Sequence, residues 1–522
     1  MEFNIADLFE NSVDTWPDRE YIVDERHRRT FAETEARANQ LAHHLAAAGV
    51  GPGDHVGIYA NNCVEWVETL WAVFKLRAVW ININYRYVEA ELEYLFDNAD
   101  LVFIVVAAEY ADRARAVAPD LPQLIVGPDY EAALAGQSPE RDFGPRSGDD
   151  RYILYTGGTT GMPKGVVWRH EDVIMTLGGG IDIRTSDKVS RPEDFVAKGQ
   201  AAGFQMTTYP TAPLMHGASQ WSVMSGSFIG SKVVLRSKFD AADAWRTIAD
   251  EKINLIMITG DAMARPLMDE YLVNGSSYDI SSLFALSSTA ALFSSALKDQ
   301  YLDTFPTVVV TDAIGSSEGG GTGYTIVAKG RHTKGGPTVS PIKQLHVLDD
   351  GLNVLPAGSP DIGMLARSGH IPLGYHKDPE KSAATFVTSP DGTRYTLTGD
   401  MAMHEADGTV TMLGRGSVSI NSGGEKIFPE EVENALRSHP QVVDAVVVGV
   451  PDERWGQRVT AVVQARPGTD LTLGPVQDHC RALLAGYKVP RRLVLVDTIV
   501  RSPAGKPDYR WALHAAQEPE RG

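Results

Sequence analysis

The densest concentration of chemistry in the chain is Tyr155-Thr156-Gly157-Gly158-Thr159-Thr160-Gly161-Met162-Pro163-Lys164-Gly165. Glycines at this density let the main chain turn sharply and come close to a ligand. Successive amides and threonine hydroxyls suit phosphate oxygens, and Lys164 adds a positive charge. The order Lys164-Gly165 reverses the ending of a Walker loop, so this is a different phosphate cradle, with a Gly/Thr surface turn as the bland alternative. A second group, Asp312-Ala313-Ile314-Gly315-Ser316-Ser317-Glu318, sets carboxylates and hydroxyls at the end of an expected strand. Oxygen donors of this kind suit Mg2+ beside a triphosphate; an exposed acidic turn is the other reading. Asp400, in Tyr395-Thr396-Leu397-Thr398-Gly399-Asp400, offers a carboxylate able to accept both hydroxyls of a ribose, or to cap a turn. Lys506 stands in the late loop Arg501-Ser502-Pro503-Ala504-Gly505-Lys506-Pro507, where a solvent-facing lysine is the ordinary outcome.

The elements around these residues read as α/β. Val56–Tyr59, Ala78–Ile83, Leu101–Val106, Arg151–Tyr155, Lys232–Leu235, Ile253–Ile258 and Thr307–Thr311 have strand length and composition. Helical patterns such as Thr30–Ala48, Cys63–Lys75 and Ala241–Glu251 lie between them. Alternation of this kind predicts βαβ units in more than one mostly parallel sheet. From about Gln344 the texture changes to shorter strands, Gln344–Leu348, Met364–Ala366 and Thr409–Leu413, separated by Gly, Pro and Asp turns. That predicts a β-rich subdomain. Gly416–Gly522 then reads as a small α+β domain: helix Pro429–Arg437, strands Val442–Val450 and Thr460–Gln464, helix Pro475–Leu484 and strand Arg492–Val496.

The loop at 155–165 resembles the signature of the adenylate-forming superfamily, which includes acyl-CoA and aryl-CoA synthetases, luciferases and adenylation domains. Asp312–Glu318, Thr398-Gly399-Asp400, Gly414-Arg415, Gly423-Gly424-Glu425 and Gly505-Lys506 follow in the same order as in that superfamily. Within it the chain is most similar to fatty-acyl-CoA synthetases, above all the actinobacterial branch with ligases for steroid side-chain acids. The resemblance implies a large N-terminal region, 1–415, of two α/β subdomains plus a distorted β-barrel, and a small mobile C-terminal domain, 416–522. It implies ATP, Mg2+ and the co-substrate CoA. Thr156, Gly157, Gly158, Thr159, Thr160, Gly161 and Lys164 then hold phosphate, with Thr160 and Glu318 near Mg2+ and Ser317 at the hydroxyl position. Thr289 and Ala290 line the nucleotide and acyl pockets, although a helix start at Ser287–Thr289 fits the residues equally well. Asp312 joins the nucleotide set. Asp400 and Arg415 take the ribose. Ile314 stands where the family usually has an aromatic, with Tyr324 as a conceivable substitute.

By the same resemblance Lys506 stabilises charge as a carboxylate attacks the α-phosphate, a purely electrostatic task. Gly423, Gly424 and Lys426 approach the pantetheine passage for thioester formation, and Ser417 replaces the usual hinge Asp or Lys. His216, in Pro213-Leu214-Met215-His216-Gly217, stands at the acyl-pocket entrance. Trp221, Met224 and Phe228 recur at helical spacing, either lining an acyl chamber or simply packing a buried helix. Gly178–Gly180 leaves room for a bulky group. The expected reaction makes acyl-AMP and then acyl-CoA from a lipid-like carboxylic acid, a fatty acid or a steroid side-chain acid. Transfer to a carrier protein and a non-catalytic nucleotide-binding scaffold are the alternatives.

Composition supports this reading. The chain has 522 residues, 43% apolar and 22% charged, which indicates a soluble protein of more than one domain. Its 48 basic and 67 acidic side chains leave a net charge of −19, a poor footprint for nucleic acid. Two cysteines, Cys63 and Cys480, supply neither a disulfide framework nor a thiolate metal site and fit a reducing compartment. No signal peptide or integral membrane segment is expected, so a cytoplasmic location is predicted. Oligomeric state is left open, with a homodimer admitted.

Overall fold

The computed structural model describes residues 1–518 apart from 157–161, 183–184, 290, 292, 330–337, 416–417, 423–424, 453–454 and 502–506; at 415, 421, 425 and 426 it describes the main chain only. The strands form three sheets. The first runs Gly374–Tyr375, Lys164–Arg169, Arg151–Thr156, Val79–Asn82, His55–Tyr59, Leu101–Ala107, Gln123–Val126. It is parallel except for its first two pairings, Gly374–Tyr375 with Lys164–Arg169 and Lys164–Arg169 with Arg151–Thr156. The helices between its strands are built as the sequence requires. Phe31–Ala47 starts on a capping box in which Thr30 and Glu33 satisfy each other's backbone donors. Val64–Lys75 is buried all along its length and contributes Trp66 and Trp71 to the same apolar core as Trp80.

The second sheet is a 14-stranded ribbon. One half is parallel: Val309–Ser316, Ala285–Thr289, Leu255–Ile258, Thr207–Pro210, Lys232–Val234 and Glu20–Val23. The other half is antiparallel, through Gly320–Ile326, Thr338–Pro341, Val410–Arg415, Arg394–His404, Gly363–Ser368 and Leu345–Leu348. This β-rich half has its own apolar core of Val339, Leu345, Val347, Leu365, Ala402 and Val410. Where a distorted barrel is expected, the described strands instead continue the edge of the second α/β sheet and do not close on themselves. The physical reason is the hairpin Val309–Ser316/Gly320–Ile326: its first strand belongs to the parallel ladder and its second starts the antiparallel one.

The third sheet holds Glu425–Ile427, Ile420–Ser422, Gly456–Ala465, Val442–Asp452 and Arg492–Leu495, covered by helices Pro429–Arg437, Leu473–Leu483 and Tyr509–Gln517. The α+β reading of this region holds, and Pro429–Arg437 has the expected bounds. Proline at its first turn, Glu430 and Glu431 beside it, and Arg437 in its last turn all favour those ends. No described helix is long and apolar enough to cross a membrane.

Candidate functional site

The phosphate-loop motif is carried by a hairpin of the first sheet. Thr156 pairs with Lys164, so the two strands Arg151–Thr156 and Lys164–Arg169 flank positions 157–163. Gly157, Gly158, Thr159, Thr160 and Gly161 themselves lie outside the described residues. Gly165 is required by packing: a Cβ there would lie 2.8 Å from both Ile153 and the ring of Tyr155.

Asn82 fixes this hairpin to the His216 segment. Its Oδ1 accepts the Tyr155 amide at 2.8 Å, and its Nδ2 donates to the carbonyls of Tyr155 and Met215, each at 2.8 Å. Asn62 works one segment away, accepting from the Leu214 amide at 2.6 Å and donating to the Ala212 carbonyl. Both asparagines are buried. His216 follows as the N-cap of helix Gly217–Phe228, and a Cβ on Gly217 would meet Leu154 at 2.6 Å. His216 thus stands at a helix start that packs directly on the strand leading into the phosphate loop.

The second sheet brings its acidic turn to the same hairpin. Trp168 Nε1 donates to the Ser317 carbonyl at 3.1 Å. Tyr375 donates its hydroxyl to Glu318 Oε1 at 2.9 Å, and Lys164 Nζ lies 5.7 Å over the Tyr375 ring. Lys164 also pairs with Asp378 at 2.7 Å. Asp378 is held below the ordinary carboxylate range by Lys164 and by the Lys381 amide that it caps. Lys164 and Glu318, 154 positions apart in order of number, are therefore two contacts from each other, joined through Tyr375. Neither Tyr375, Asp378, Asn82 nor Asn62 is marked by the motifs. The available signals were a buried-strand asparagine in Val79-Trp80-Ile81-Asn82 and an aspartate directly before a helix-starting proline, Asp378-Pro379.

Asp400 and Arg415 are cross-strand partners of Arg394–His404 and Val410–Arg415, which sets both on one face of the ribbon. Thr289 ends the strand Ala285–Thr289, paired with Ala313; this corrects the alternative helix start, because the next helix begins only at Ser295. Ala290 lies outside the described residues. Ile314 is half-buried against the β-rich core and pairs with Gly323. Tyr324 pairs with Ala313, one step along, so it points to the opposite face and does not replace a ring at Ile314. Asp312 does not join the cluster. Its buried carboxylate forms a 2.5 Å ion pair with Lys298, and burial, opposed by that lysine, raises its pKa. Through this pair Asp312 reaches helix Ser295–Thr304, which carries Lys298.

In the small domain, Lys506 falls outside the described residues, but its flanks are fixed. Arg501 and Pro507 bridge as antiparallel neighbours. Arg501 forks onto Asp444, with Nε to Oδ2 and Nη2 to Oδ1 both at 2.7 Å, and Arg437 Nε adds a third bond at 2.9 Å. Ser422 pairs with Glu425 and Asn421 with Lys426 on either side of Gly423 and Gly424, which also lie outside the described residues. The small domain is docked: a Cβ at Gly414, which has φ 106°, would collide with the carboxylate of Glu430.

Two expected acyl-pocket features change. Trp221, Met224 and Phe228 are core residues, with Trp221 edge-on to Tyr152 and Phe228 edge-on to Phe195, so the buried-helix reading prevails. Gly178 and Gly180 do not open space. A Cβ at either would lie 2.8 Å or less from Ile174 or Met175, because the chain doubles back on helix His170–Leu177.

Residues 9–376 match the model of the AMP-binding enzyme family, and residues 431–506 match that of the AMP-binding enzyme C-terminal domain. The chain belongs to the AMP-binding enzymes. It is 52% identical to a 3-oxocholest-4-en-26-oate–CoA ligase of Rhodococcus rhodochrous, covering 98% of this chain and 96% of that one. It is 40% identical to the medium-chain acyl-CoA ligase Mig of Mycobacterium avium, covering 96% of each. Among solved structures it shares its fold with the anthranilate CoA ligase AuaEII in complex with anthranoyl-AMP, at TM-score 0.85 and 23% identity over 98% and 97% of the two chains. It shares it equally with ATP-bound MatB from Rhodopseudomonas palustris, at TM-score 0.83 and 24% identity over 98% of each. The hairpin and the Glu318 turn thus meet through Trp168 and Tyr375.

Proposed function

We propose that this AMP-binding enzyme is an ATP-dependent acyl-CoA synthetase acting on lipid-like carboxylic acids, with a steroid side-chain acid as the narrower assignment and medium- or long-chain fatty acids as further substrates. The observation that carries it is the 52% identity, end to end, with a ligase whose name specifies a steroid side-chain carboxylate. In the first half-reaction the carboxylate oxygen attacks the α-phosphorus of ATP, and the bond to the bridging oxygen breaks to release pyrophosphate. In the second, the CoA thiolate attacks the acyl carbonyl and AMP leaves.

The residues take distinct tasks. Lys164, set at the mouth of the hairpin, supplies charge to the phosphates, and residues 156–161 supply donors. Asp400 and Arg415 share a face suited to the two ribose hydroxyls. His216 stands at the start of its helix, beside the path of the acid. Lys506 supports negative charge developing at the α-phosphate. A magnesium ion suits an oxygen donor at this turn: Glu318 binds Tyr375 through one oxygen, and the family resemblance names Thr160 as the second group. When bound, it would neutralise the phosphates of the nucleotide. Residues 416–522 act as a mobile unit that replaces Lys506 by the 423–426 region between half-reactions, keeping reactive acyl-AMP from water. The deciding experiment is a CoA-ligation screen over short, long, aryl and steroid acids, with product identified by mass and with AMP and pyrophosphate measured together.

A further inference from the structure

Three strand ends of the first sheet bring two imidazoles and a carboxylate together. His55 opens the strand His55–Tyr59, Asp100 stands in the turn before Leu101–Ala107, and His376 follows the edge strand Gly374–Tyr375. Their ligand atoms all lie within 4.8 Å of one another. His376 Nε2 is 3.3 Å from Asp100 Oδ2, already close to the spacing of neighbouring ligands around a tetrahedral ion. The His55 and His376 rings meet edge to face at 5.2 Å.

We propose that His55, Asp100 and His376 form a binding site for a divalent transition-metal ion of the zinc class. His55 Nδ1 is 2.5 Å from the Ala99 carbonyl, an acceptor only, so Nδ1 carries the proton and Nε2 keeps its lone pair. A carbonyl behind a ligating imidazole is the usual outer partner of such a site. Asp100 is exposed, so an ion reaches the site from solvent. One feature opposes binding: Lys377 Nζ sits 2.6 Å from Asp100 Oδ1 and 3.3 Å from the Asp97 carbonyl. It holds the oxygen that does not face His376, so the other remains for the metal. Two nitrogens, one carboxylate oxygen and a water match zinc, nickel or cobalt and not magnesium or calcium.

The other group of similar composition, Asp24, His27 and Glu65, does not compete. Asp24 already accepts the amides of Arg26, His27 and Val64, and Glu65 is forked by Arg26. The proposed site has a mechanical link to the nucleotide groups. His376 lies between Tyr375, which holds Glu318, and Asp378, which holds Lys164. A metal that ties His376 to the first sheet therefore stiffens the segment that carries both contacts.

The test is calorimetric titration of the chelator-treated, full-length protein with Zn2+ in the absence of nucleotide, repeated with Co2+ while recording its visible absorption. The expected result is one equivalent bound, with the intense visible bands of low-coordinate cobalt. His55→Ala and His376→Ala should each weaken binding by at least about tenfold, the size of loss that even an outer-shell partner produces. His376→Gln serves if the alanine variant fails to fold by circular dichroism. Lys377→Ala, by removing the cation that competes for Asp100, should tighten binding. Absence of binding, binding unchanged in both histidine variants, or binding abolished by His27→Ala would each overturn the proposal.

Discussion

Asn82 does with a side chain what a neighbouring strand does with its backbone. The ladder between Val79–Asn82 and Arg151–Thr156 is registered at Ile81 and Ile153; one step on, Asn82 itself satisfies both main-chain groups of Tyr155 and then reaches the Met215 carbonyl. Its replacement by alanine leaves three buried groups without that partner, each orphan costing about 1–3 kcal/mol. Asn82→Ala should lower the melting temperature and depress ATP–pyrophosphate exchange more than it depresses CoA transfer from supplied acyl-AMP. Equal loss in the two assays would mean that Asn82 supports only folding. Lys506 makes the sharper contrast, because its proposed task is charge and not shape. Lys506→Ala should cost adenylation about 3–4 kcal/mol, as loss of a well-placed transition-state donor does. Thioester formation from acyl-AMP should survive; parallel loss in both half-reactions would remove Lys506 from its assigned step.

At the scale of elements, the small domain anchors the start of its late loop by an ion-pair fork between Arg501 and Asp444. Burial alone raises Asp444, but Arg437 and Arg501 outweigh it and bring its pKa down to about 2. The folded value is depressed, so this contribution is fully present above the ordinary carboxylate pKa near 3.8 and is lost as pH falls through about 2. A shift of that size corresponds to about 2 kcal/mol. Asp444→Asn should therefore lower stability at pH 7 by roughly that amount, with the difference from the parent protein shrinking below pH 3 in acid denaturation. A constant difference across that range would show that the fork acts through shape alone. The same element-level view explains which expectations succeeded. Pro429–Arg437 and Phe31–Ala47 were readable because their caps and turn residues are local. That the β-rich half continues the second α/β sheet was not legible, because strand pairing across separations such as Thr338–Pro341 with Val410–Arg415 leaves no local mark. The partner of Asp312 was not legible for a related reason: Lys298 comes from the preceding helix, and a one-residue step in a strand decides which face a residue occupies.

Across the whole molecule, the motifs predicted the family, while the apolar pattern failed to predict the acid site. Trp221, Met224 and Phe228 are buried core, and Gly178 and Gly180 serve a tight turn, so neither supplies a measure of the acyl chamber. The assignment of a bulky acid therefore rests on kinship over the full chain and on the chemistry of burial. Transfer of apolar surface from water favours a large acid by about 25 cal/mol per Å2, part of which is offset by the cost of ordering ligand and side chains. A fused-ring acid loses less conformational freedom on binding than a long chain of equal surface. A steroid side-chain carboxylate should accordingly be ligated to CoA with a higher kcat/KM than acetate or benzoate, and a long-chain fatty acid should retain measurable turnover. Pyrophosphate release with each acid at equal concentration, confirmed by the mass of the CoA product, decides the order. Turnover of fatty acids without steroid acids would keep the lipid assignment and remove the narrower one. Efficient ligation of acetate or benzoate with neither lipid class accepted would place the acid site in another group of AMP-binding enzymes altogether.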